Sequence, residues 1–496
     1  MAAIRKITIV LALISIGRFI LVSVLQVIYP VDLLFESPNW NTALLLHKGV
    51  NIYSPQTYDA PPFNLNLYTP LYFALVSFLP GFSSAPLLTG RLVSLFFTAC
   101  ALALLILTVK SKERIQIGLI GMGWLLLFQP FLINGAFFRM ESMALFFSAC
   151  AVASIRREHV RGNDVALAAL FSFLGVMSKQ SYIAAPLACC IYLLRHSRRQ
   201  AFHFAALFCL LLEISFYWLD LQSGGGFLWS ILVAPRNPLS VDWFVANMES
   251  MRTPSFFALL VLSSGACYLI MKPPVRERGE HLEASWPQLN AFYFLTSWAW
   301  LIASIGKIGA NPNYFIEPLF ASVWLLLTWI ECNTESWSRE RICRYALIIL
   351  PVVFAWDAIA TRNEPYYLFQ PGLQQPDRFQ KIKNEMDSLK IPSSPKILNL
   401  ADFRHSLSVG WDLYLNDPFL YSILWNTRAL SNQSILRTIE QGYFDLVVLN
   451  KGVNRKSIPP DPTPFQQVFQ KIFDRYDLKA EYTFAYYIPR TRPKQP

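Results

Sequence analysis

The class of fold is decided by an apolar stretch near the start of the chain, Ile7-Thr-Ile-Val-Leu-Ala-Leu-Ile-Ser-Ile-Gly-Arg18-Phe-Ile-Leu-Val-Ser-Val-Leu-Gln-Val-Ile-Tyr29. Arg18 is its only charge, and at about 1.5 Å per residue the stretch is long enough to cross about 30 Å of hydrocarbon. It is too long for the apolar core of a cleaved signal peptide, and no small-residue cleavage site precedes Tyr29. We therefore expect a retained first helix whose N-terminus lies in the cytoplasm.

The remainder of the chain has the same apolar character. Of its 496 residues, 54% are hydrophobic and 15% are charged, whereas a soluble globular protein carries about 25% charged residues. The mean hydropathy of +0.35 excludes an ordinary soluble enzyme. It also excludes a disordered or collagen-like chain, which would need few large apolar residues or a strict glycine period. We expect a protein that crosses the membrane several times.

Apolar stretches predict further spans, which make eleven in all with the first helix. They lie at 87–109, 115–134, 139–155, 163–178, 181–194, 201–219, 255–271, 287–306, 313–330 and 343–360. The stretch 71–82 is only 12 residues long, which is too short to cross the membrane. We expect it to be re-entrant or to lie at the interface.

Lysine and arginine are concentrated in the short loops on one side of this arrangement. With a cytoplasmic N-terminus these loops all face the cytoplasm, as the positive-inside rule requires. They lie at 110–114, 156–161, 195–199, 272–278 and 339–344. The net charge of +11 therefore indicates topology, and we expect no nucleic-acid partner.

The other loops face the outer side, including the long loop 30–86 and the polar, proline-rich tail. Short apolar runs in the tail predict strands, and the segments between them predict helices. The predicted strands are Lys396–Leu400, Phe444–Leu449 and Ala480–Ile488, and the predicted helices are 377–389 and 433–441. The expected architecture is an all-α polytopic membrane domain, 1–360, followed by a small α/β extracytoplasmic domain, 361–496.

Two acids, Asp32 and Glu36, stand where the first helix leaves the lipid. If the helix continues, residues four apart share one face. Nearby aromatic side chains would then raise a carboxyl pKa or exclude water, and both effects are useful to a general base. The alternative is a pair of solvated acids that flank the end of a membrane helix.

Other charged residues also lie on the outer side. Arg139 and Glu141 begin the fourth span, either as functional groups or as a local salt bridge. Lys179 and Gln180 join two spans with almost no loop, and this lysine either extends toward the interface or binds an anion. Arg91 lies at the outer start of its span.

The densest polar cluster between two spans is Lys307-Ile-Gly-Ala-Asn311-Pro-Asn313-Tyr314-Phe-Ile-Glu317-Pro318. Amide, phenol and carboxyl groups at the start of one helix can bind hydroxyls, and a nearby lysine can bind phosphate. Glu317 would lie about one turn inside the membrane, where an acid is costly and usually functional. The six histidines show no metal-ligand spacing, and no phosphate-binding glycine loop is present.

Taken in order, these motifs resemble the GT-C superfamily of integral-membrane glycosyltransferases, in the bacterial branch near the protein mannosyltransferases and the lipid A aminoarabinose transferases. The resemblance covers about residues 7–330. Its motifs are the outer-loop acid, Ala43…Gly49-x-Asn51-x-Tyr53, Tyr68-Thr-Pro70-Leu71-Tyr72, Gly90-Arg91-Leu92, Arg139-x-Glu141, Lys179-Gln180 and the block from Gly309 to Glu317. Close relatives of the mannosyltransferases have adjacent Asp and Glu, whereas Phe35 precedes Glu36 here.

The resemblance implies transfer of a sugar from a polyprenyl-phosphate donor to a glycan, lipid or protein acceptor at the outer face of the bacterial inner membrane, with inversion. It gives the role of general base to Glu36, with Asp32 as the alternative or as a partner. The candidate phosphate ligands are Lys307, Lys179, Arg91 and Arg139. The candidate sugar or acceptor ligands are Asn311, Asn313, Tyr314, Glu317, Glu141 and Gln180. No cofactor is implied with certainty, and the sequence leaves open whether a divalent metal ion helps the phosphate to leave.

Two other functions are compatible with a polytopic chain. A transporter or lipid flippase of the cell-envelope glycan pathway would often show two related halves with broken helices, and we find no such symmetry. A non-catalytic assembly protein would use the tail as its working part, but the tail shows no recognisable site. The clustering of polar residues on one side of the membrane favours the enzyme.

Overall fold

The structure is a computed structural model. It describes residues 2–29, 32, 36–109, 114–157, 159–272 and 286–333, and toward the C-terminus 380–385, 387–389, 391, 395–401, 407 and 410–490. The predicted span 343–360 and the basic segments 110–113, 273–278 and 339–344 lie outside the described residues.

Most of the described chain is helical. Up to the middle of the chain the helices are α1 (Ala2–Ile28), α2 (Ser37–His47), α3 (Pro55–Tyr58), α4 (Leu71–Phe78), α5 (Pro86–Leu107), α6 (Arg114–Leu125), α7 (Gln129–Asn134), α8 (Glu141–Ile155), α9 (Gly162–Ser178) and α10 (Ala184–His196). They are followed by α11 (Arg198–Gln222), α12 (Gly226–Leu228), α13 (Val241–Ser250), α14 (Pro254–Met271), α15 (Trp286–Ser304) and α16 (Ile316–Asn333).

Five stretches of the described helices are long and apolar enough to cross a membrane. They are Lys6–Ile28, Pro86–Leu107, Arg198–Gln222, Pro254–Met271 and Pro312–Cys332. Other predicted spans do form helices, but several are short, such as α8 and α10. The structure therefore supports five crossings by length and composition, and it does not confirm a count of eleven.

The predicted span 115–134 is broken into two helices. α6 ends at Leu125 and α7 begins at Gln129, with Pro130 in its first turn. Proline has no N–H to donate and fits the first turn of a new helix, so the chain restarts there instead of continuing one helix. The turn after α7 then leads to the start of α8, where two of the candidate site residues lie.

The outer loop contains three short helices, α2, α3 and α4. The segment expected to be re-entrant or interfacial forms α4, which is only eight residues long and lies against α2. Tyr72, Phe73 and Val76 of α4 are buried in an apolar cluster together with Phe138. This cluster fixes the outer loop on the turn that precedes α8.

The C-terminal region contains a four-stranded sheet in the order β1-β2-β4-β3. The strands are β1 (Ile397–Asn399), β2 (Leu446–Leu449), β3 (Tyr476–Glu481) and β4 (Ala485–Pro489), and the helices are α17 (Pro418–Asn426), α18 (Gln433–Glu440) and α19 (Pro464–Arg475). β1 and β2 are parallel, and the other pairs are antiparallel. The single strand predicted at the end is a hairpin, because the chain turns between Glu481 and Ala485, where Tyr482 N–H bonds to the Phe484 carbonyl at 2.9 Å.

The outer loop and the C-terminal region share one apolar core. Tyr58, Phe63 and Leu65 of the loop are buried together with side chains from the sheet and from α17 to α19. Phe63 also pairs with Leu415 as in a parallel bridge. The C-terminal region is therefore joined directly to the loop that leads into the candidate site.

Candidate functional site

The Glu36 carboxylate is occupied by a buried ion pair. Arg91 Nε donates to Glu36 Oε1 at 2.9 Å, and Arg91 Nη2 donates to Glu36 Oε2. The backbone N–H of Phe138 donates to Glu36 Oε1 at 2.8 Å. Both charged side chains are 0% exposed. This carboxylate therefore links α5 to the turn before α8.

Arg91, one of the phosphate ligands expected from the sequence, is bonded to groups of the protein itself. Besides its two bonds to Glu36, its Nη1 donates to the carbonyls of Gln26, at 2.7 Å, and of Tyr29. A guanidinium has five N–H donors, and these bonds direct it toward the end of α1 and away from the solvent. Arg91 therefore connects α1, α2 and α5, and its role as a phosphate ligand stays a prediction.

Asp32 caps the start of α2. Its Oδ1 accepts the Glu36 N–H at 2.9 Å, and its Oδ2 accepts the Ser37 N–H at 2.7 Å and the Ser37 hydroxyl at 2.6 Å. The two acids therefore do not share a helix face, since α1 ends at Ile28 and α2 starts at Ser37. The pKa of Asp32 is raised to about 6, chiefly by burial and then by the Glu36 charge, against the opposing effect of these hydrogen bonds.

A second buried cluster centres on Glu141, the first residue of α8. Lys179 Nζ lies 2.8 Å from Glu141 Oε1, and Asn313 Nδ2 donates to the same oxygen at 2.5 Å. The three side chains come from the start of α8, the end of α9 and the short 3-10 turn before α16. All three are at least nine-tenths buried. Residues far apart in sequence thus form one charged centre.

Aromatic rings cover the lysine of this centre. Lys179 Nζ lies 5.2 Å from the centre of the Tyr314 ring and 5.8 Å from that of Tyr68, within the range of a cation–π contact. Burial is the largest cause that raises the pKa of Tyr68, to about 12, so this phenol stays neutral and can donate. Gln180 fixes the adjacent chain by donating to the Leu67 carbonyl at 2.6 Å.

The centre also carries acceptor atoms that have no donor. Among the described residues, the buried atoms Glu141 Oε2, Gln180 Oε1 and Asn313 Oδ1 have no hydrogen-bond partner. A buried acceptor without a partner is costly, and the usual explanation is a ligand or a water molecule. Two such acceptors at a covered cation, with a third on the residue that follows Lys179 in the chain, suit a ligand that has both hydroxyl groups and negative charge.

One turn joins the two clusters. The Phe138 N–H binds Glu36, while the Phe138 carbonyl accepts from Asn39 of α2 at 2.9 Å. The Arg139 carbonyl accepts from Ser94 of α5 at 2.9 Å. Along the chain, the half-buried Arg139 therefore lies between Phe138, which binds Glu36, and Glu141. Movement of either cluster would displace this arginine.

The remaining predicted residues lie near the start of α16. Glu317 is 5% exposed and accepts a hydrogen bond from the Tyr293 hydroxyl at 3.1 Å. Lys307 is in the preceding turn, and the exposed Asn311 donates to the Gly309 carbonyl at 3.2 Å. In the part of the chain that the structure describes, neither Lys307 nor Asn311 has a polar side-chain contact with Glu141 or Lys179.

Sequence reasoning missed some residues of the site. The sequence places Tyr68 in the motif Tyr68-Thr-Pro70-Leu71-Tyr72 but does not predict that its ring contacts Lys179. Tyr293 lies inside an apolar span, and no sequence signal distinguishes it. Within the described ranges no three His, Cys, Asp or Glu side chains are grouped to hold a metal ion.

Comparison with known proteins identifies the fold. The chain has no match among protein-family models or curated proteins. It matches the crystal structure of ArnT from Cupriavidus metallidurans bound to undecaprenyl phosphate, with a TM-score of 0.59 and 11% identity over 95% of this chain and 97% of that one. The apo form of that ArnT gives a TM-score of 0.60 and 12% identity, with the same coverage.

The chain has the GT-C fold. ArnT is a GT-C aminoarabinose transferase, so the resemblance read from the ordered motifs is confirmed at the level of the fold. The match covers nearly the whole of both chains, and it therefore includes the C-terminal region as well as the helices. Together with the five apolar helices, the GT-C fold makes this an integral membrane protein.

Proposed function

We propose that this protein transfers a sugar from a polyprenyl-phosphate donor to a glycan, lipid or protein acceptor at the outer face of the bacterial inner membrane. The observation that carries the proposal is the buried centre of Glu141, Lys179 and Asn313 within a GT-C fold. The ArnT that shares this fold was solved with undecaprenyl phosphate bound, which supports a donor of that class.

Lys179 and Arg139 are the proposed ligands of the donor phosphate. Lys179 is covered by two tyrosine rings, so a phosphate that approaches it leaves water and gains a stronger charge interaction. Arg139 is adjacent, in the turn fixed by Glu36. Lys307 extends the positive charge toward the outer turn and would meet the donor as it enters.

The sugar is proposed to bind to the unpartnered acceptors. Glu141 Oε2, Asn313 Oδ1 and Gln180 Oε1 can each accept a hydrogen bond from a sugar hydroxyl. The rings of Tyr68 and Tyr314 offer apolar faces to the sugar ring. Asn311 and Glu317 belong to the same segment and complete the proposed surface.

Asp32 is the proposed general base. Glu36 is neutralised by Arg91, whereas Asp32 Oδ1 accepts only one hydrogen bond among the described residues and its pKa is near 6. A base whose pKa lies close to the working pH is suited to proton transfer. The acceptor hydroxyl would give its proton to Asp32 as its oxygen bonds to the sugar carbon, and the bond from that carbon to the phosphate oxygen would break with inversion. The phosphate oxygen keeps the electron pair of the broken bond, so the released polyprenyl phosphate gains a second negative charge, which Lys179 would stabilise.

A deletion strain tests the proposal. We expect mass spectrometry of its envelope glycans and glycolipids to show the loss of one sugar, restored by the wild-type gene and not by Asp32→Asn. Asp59→Asn, which changes an exposed acid of the same loop, is the matched control and should restore the sugar. An unchanged glycan profile in the deletion strain would reject the proposal, and restoration by Asp32→Asn would reject the base.

A further inference from the structure

Asn416 of the C-terminal region binds both backbone groups of one outer-loop residue. Its Oδ1 accepts the Leu65 N–H at 3.1 Å, and its Nδ2 donates to the Leu65 carbonyl at 2.9 Å. Its own N–H donates to the Phe63 carbonyl at 3.2 Å. The side chain is 2% exposed, so water does not offer substitute bonds. A single amide thus fixes a loop segment that is 351 positions away in sequence.

This segment leads directly to the cover of Lys179. Three residues after Leu65, the Tyr68 ring lies 5.8 Å from Lys179 Nζ. The Tyr68 carbonyl accepts from the Tyr53 hydroxyl at 2.7 Å, so the segment is fixed from the loop side as well. On either side of Tyr68, Gln180 bonds to the Leu67 carbonyl and the Thr69 hydroxyl bonds to the Val176 carbonyl at 2.8 Å. Asn416 adds the anchor that comes from the C-terminal region.

We propose that Asn416 is a positioning residue, through which the C-terminal region holds Tyr68 over Lys179 and so sets the affinity of the centre for a lipid-linked phosphate. The ligand class rests on the proposed function, whereas the positioning rests on the contacts alone. The C-terminal region then has a structural role at the site, because it holds one side of a centre that is built mainly from membrane helices.

Removing the amide has a calculable consequence. In Asn416→Ala the Leu65 N–H and carbonyl lose their partners in a buried place, which favours local opening of the segment. Tyr68 then covers Lys179 for only part of the time. Because the apparent affinity falls with the fraction of molecules in which Tyr68 covers Lys179, we expect undecaprenyl phosphate to bind roughly three- to tenfold more weakly.

Asn432 provides a matched control. It is 8% exposed, and its Nδ2 donates to the Pro464 carbonyl and to Gln467 Oε1, both inside the C-terminal region. Asn432→Ala removes a comparable buried amide without touching the outer loop. It should lower the stability of the C-terminal region and leave undecaprenyl phosphate binding within about twofold of wild type.

The experiment uses the full-length protein in lipid nanodiscs with undecaprenyl phosphate as the probe. Binding is measured for Asn416→Ala, Asn432→Ala, Tyr68→Leu and the Tyr68→Leu/Asn416→Ala double variant. If Asn416 acts through Tyr68, its substitution should change the affinity of the Tyr68→Leu background by less than about twofold. Wild-type affinity in Asn416→Ala, or equal losses in both backgrounds, would overturn the proposal.

Amide hydrogen exchange of the same variants separates this inference from the proposed function. Peptides that cover 63–70 should exchange faster in Asn416→Ala and at the wild-type rate in Asn432→Ala. Unchanged exchange in Asn416→Ala would overturn the positioning role even if binding changed. If wild-type protein bound no undecaprenyl phosphate, the proposed function would fail and the link to affinity with it, while faster exchange would still show that Asn416 holds the segment.

Discussion

Replacing Glu36 by glutamine removes a buried negative charge while it preserves the shape of the side chain. Arg91 then loses the Glu36 charge, although its guanidinium remains 0% exposed and bonded to the Gln26 and Tyr29 carbonyls. Breaking one side of a buried ion pair costs about 3–5 kcal/mol. The glutamine oxygen can still accept one bond, so we expect a loss near 3 kcal/mol, at the lower end of that range.

The assay for Glu36→Gln combines thermal unfolding in detergent with sugar transfer per folded molecule. We expect a clearly lower melting temperature, whereas transfer per folded molecule should fall much less, through the displacement of Arg139. The double variant Glu36→Gln/Arg91→Gln removes both charges and should recover part of the stability. Recovery will be incomplete, because the carbonyls that Arg91 served each lose a donor, at about 1–3 kcal/mol.

The opposite pattern would refute this reasoning. A general base contributes about 10²- to 10⁴-fold to the rate. If Glu36→Gln melted like the wild type and lost transfer by that factor, Glu36 would be the base, and the assignment of its carboxylate to a purely positioning ion pair would be wrong.

Three further predictions concern the same site. Gly90→Ala should destabilise the protein by about 1–3 kcal/mol, because the added Cβ would lie 2.3 Å from a neighbouring phenylalanine ring atom, whereas Gly265→Ala on an open helix face should be neutral or stabilising in the same melting assay. Transfer should rise with pH through about 6 as Asp32 loses its proton, and a rate that is flat from about pH 5 to 7 would argue against this base. Lys179→Met should cost about 3–5 kcal/mol of folding free energy by removing the cation bonded to Glu141, and adding Glu141→Gln should restore most of it; equal melting temperatures for all three proteins would contradict the buried pair.

The sequence predicts the helices well, because each depends on a local property. The length of the apolar stretch predicts a span at 87–109, and the observed helix α5 spans Pro86–Leu107. The same local signal missed the break between α6 and α7, since a proline inside an apolar run does not reveal whether a helix bends or restarts. It also merged β3 and β4, because a three-residue turn rich in aromatic residues resembles a strand.

The pairing of charges could not be predicted from the sequence. Spacing suggested that Asp32 and Glu36 act together on one helix face, but the chain leaves the helix before them and Asp32 caps the next one. Glu36 instead pairs with Arg91, which is 55 residues away, and Glu141 pairs with Lys179 at a separation of 38. Such partners are brought together by tertiary packing, which no local pattern encodes. The sequence predicts which residue types form the site, but it does not predict that they divide into two clusters.

Binding of undecaprenyl phosphate to the wild type and to the Lys179→Met/Glu141→Gln variant tests the central claim most directly. Native mass spectrometry of the purified, full-length proteins gives both affinities, and the matched loss of both charges keeps the fold comparable. We predict binding to the wild type and at least about tenfold weaker binding to the variant, because the phosphate loses its buried cation. Equal affinity in the two proteins, or no binding to either, would contradict a lipid-phosphate site at this centre.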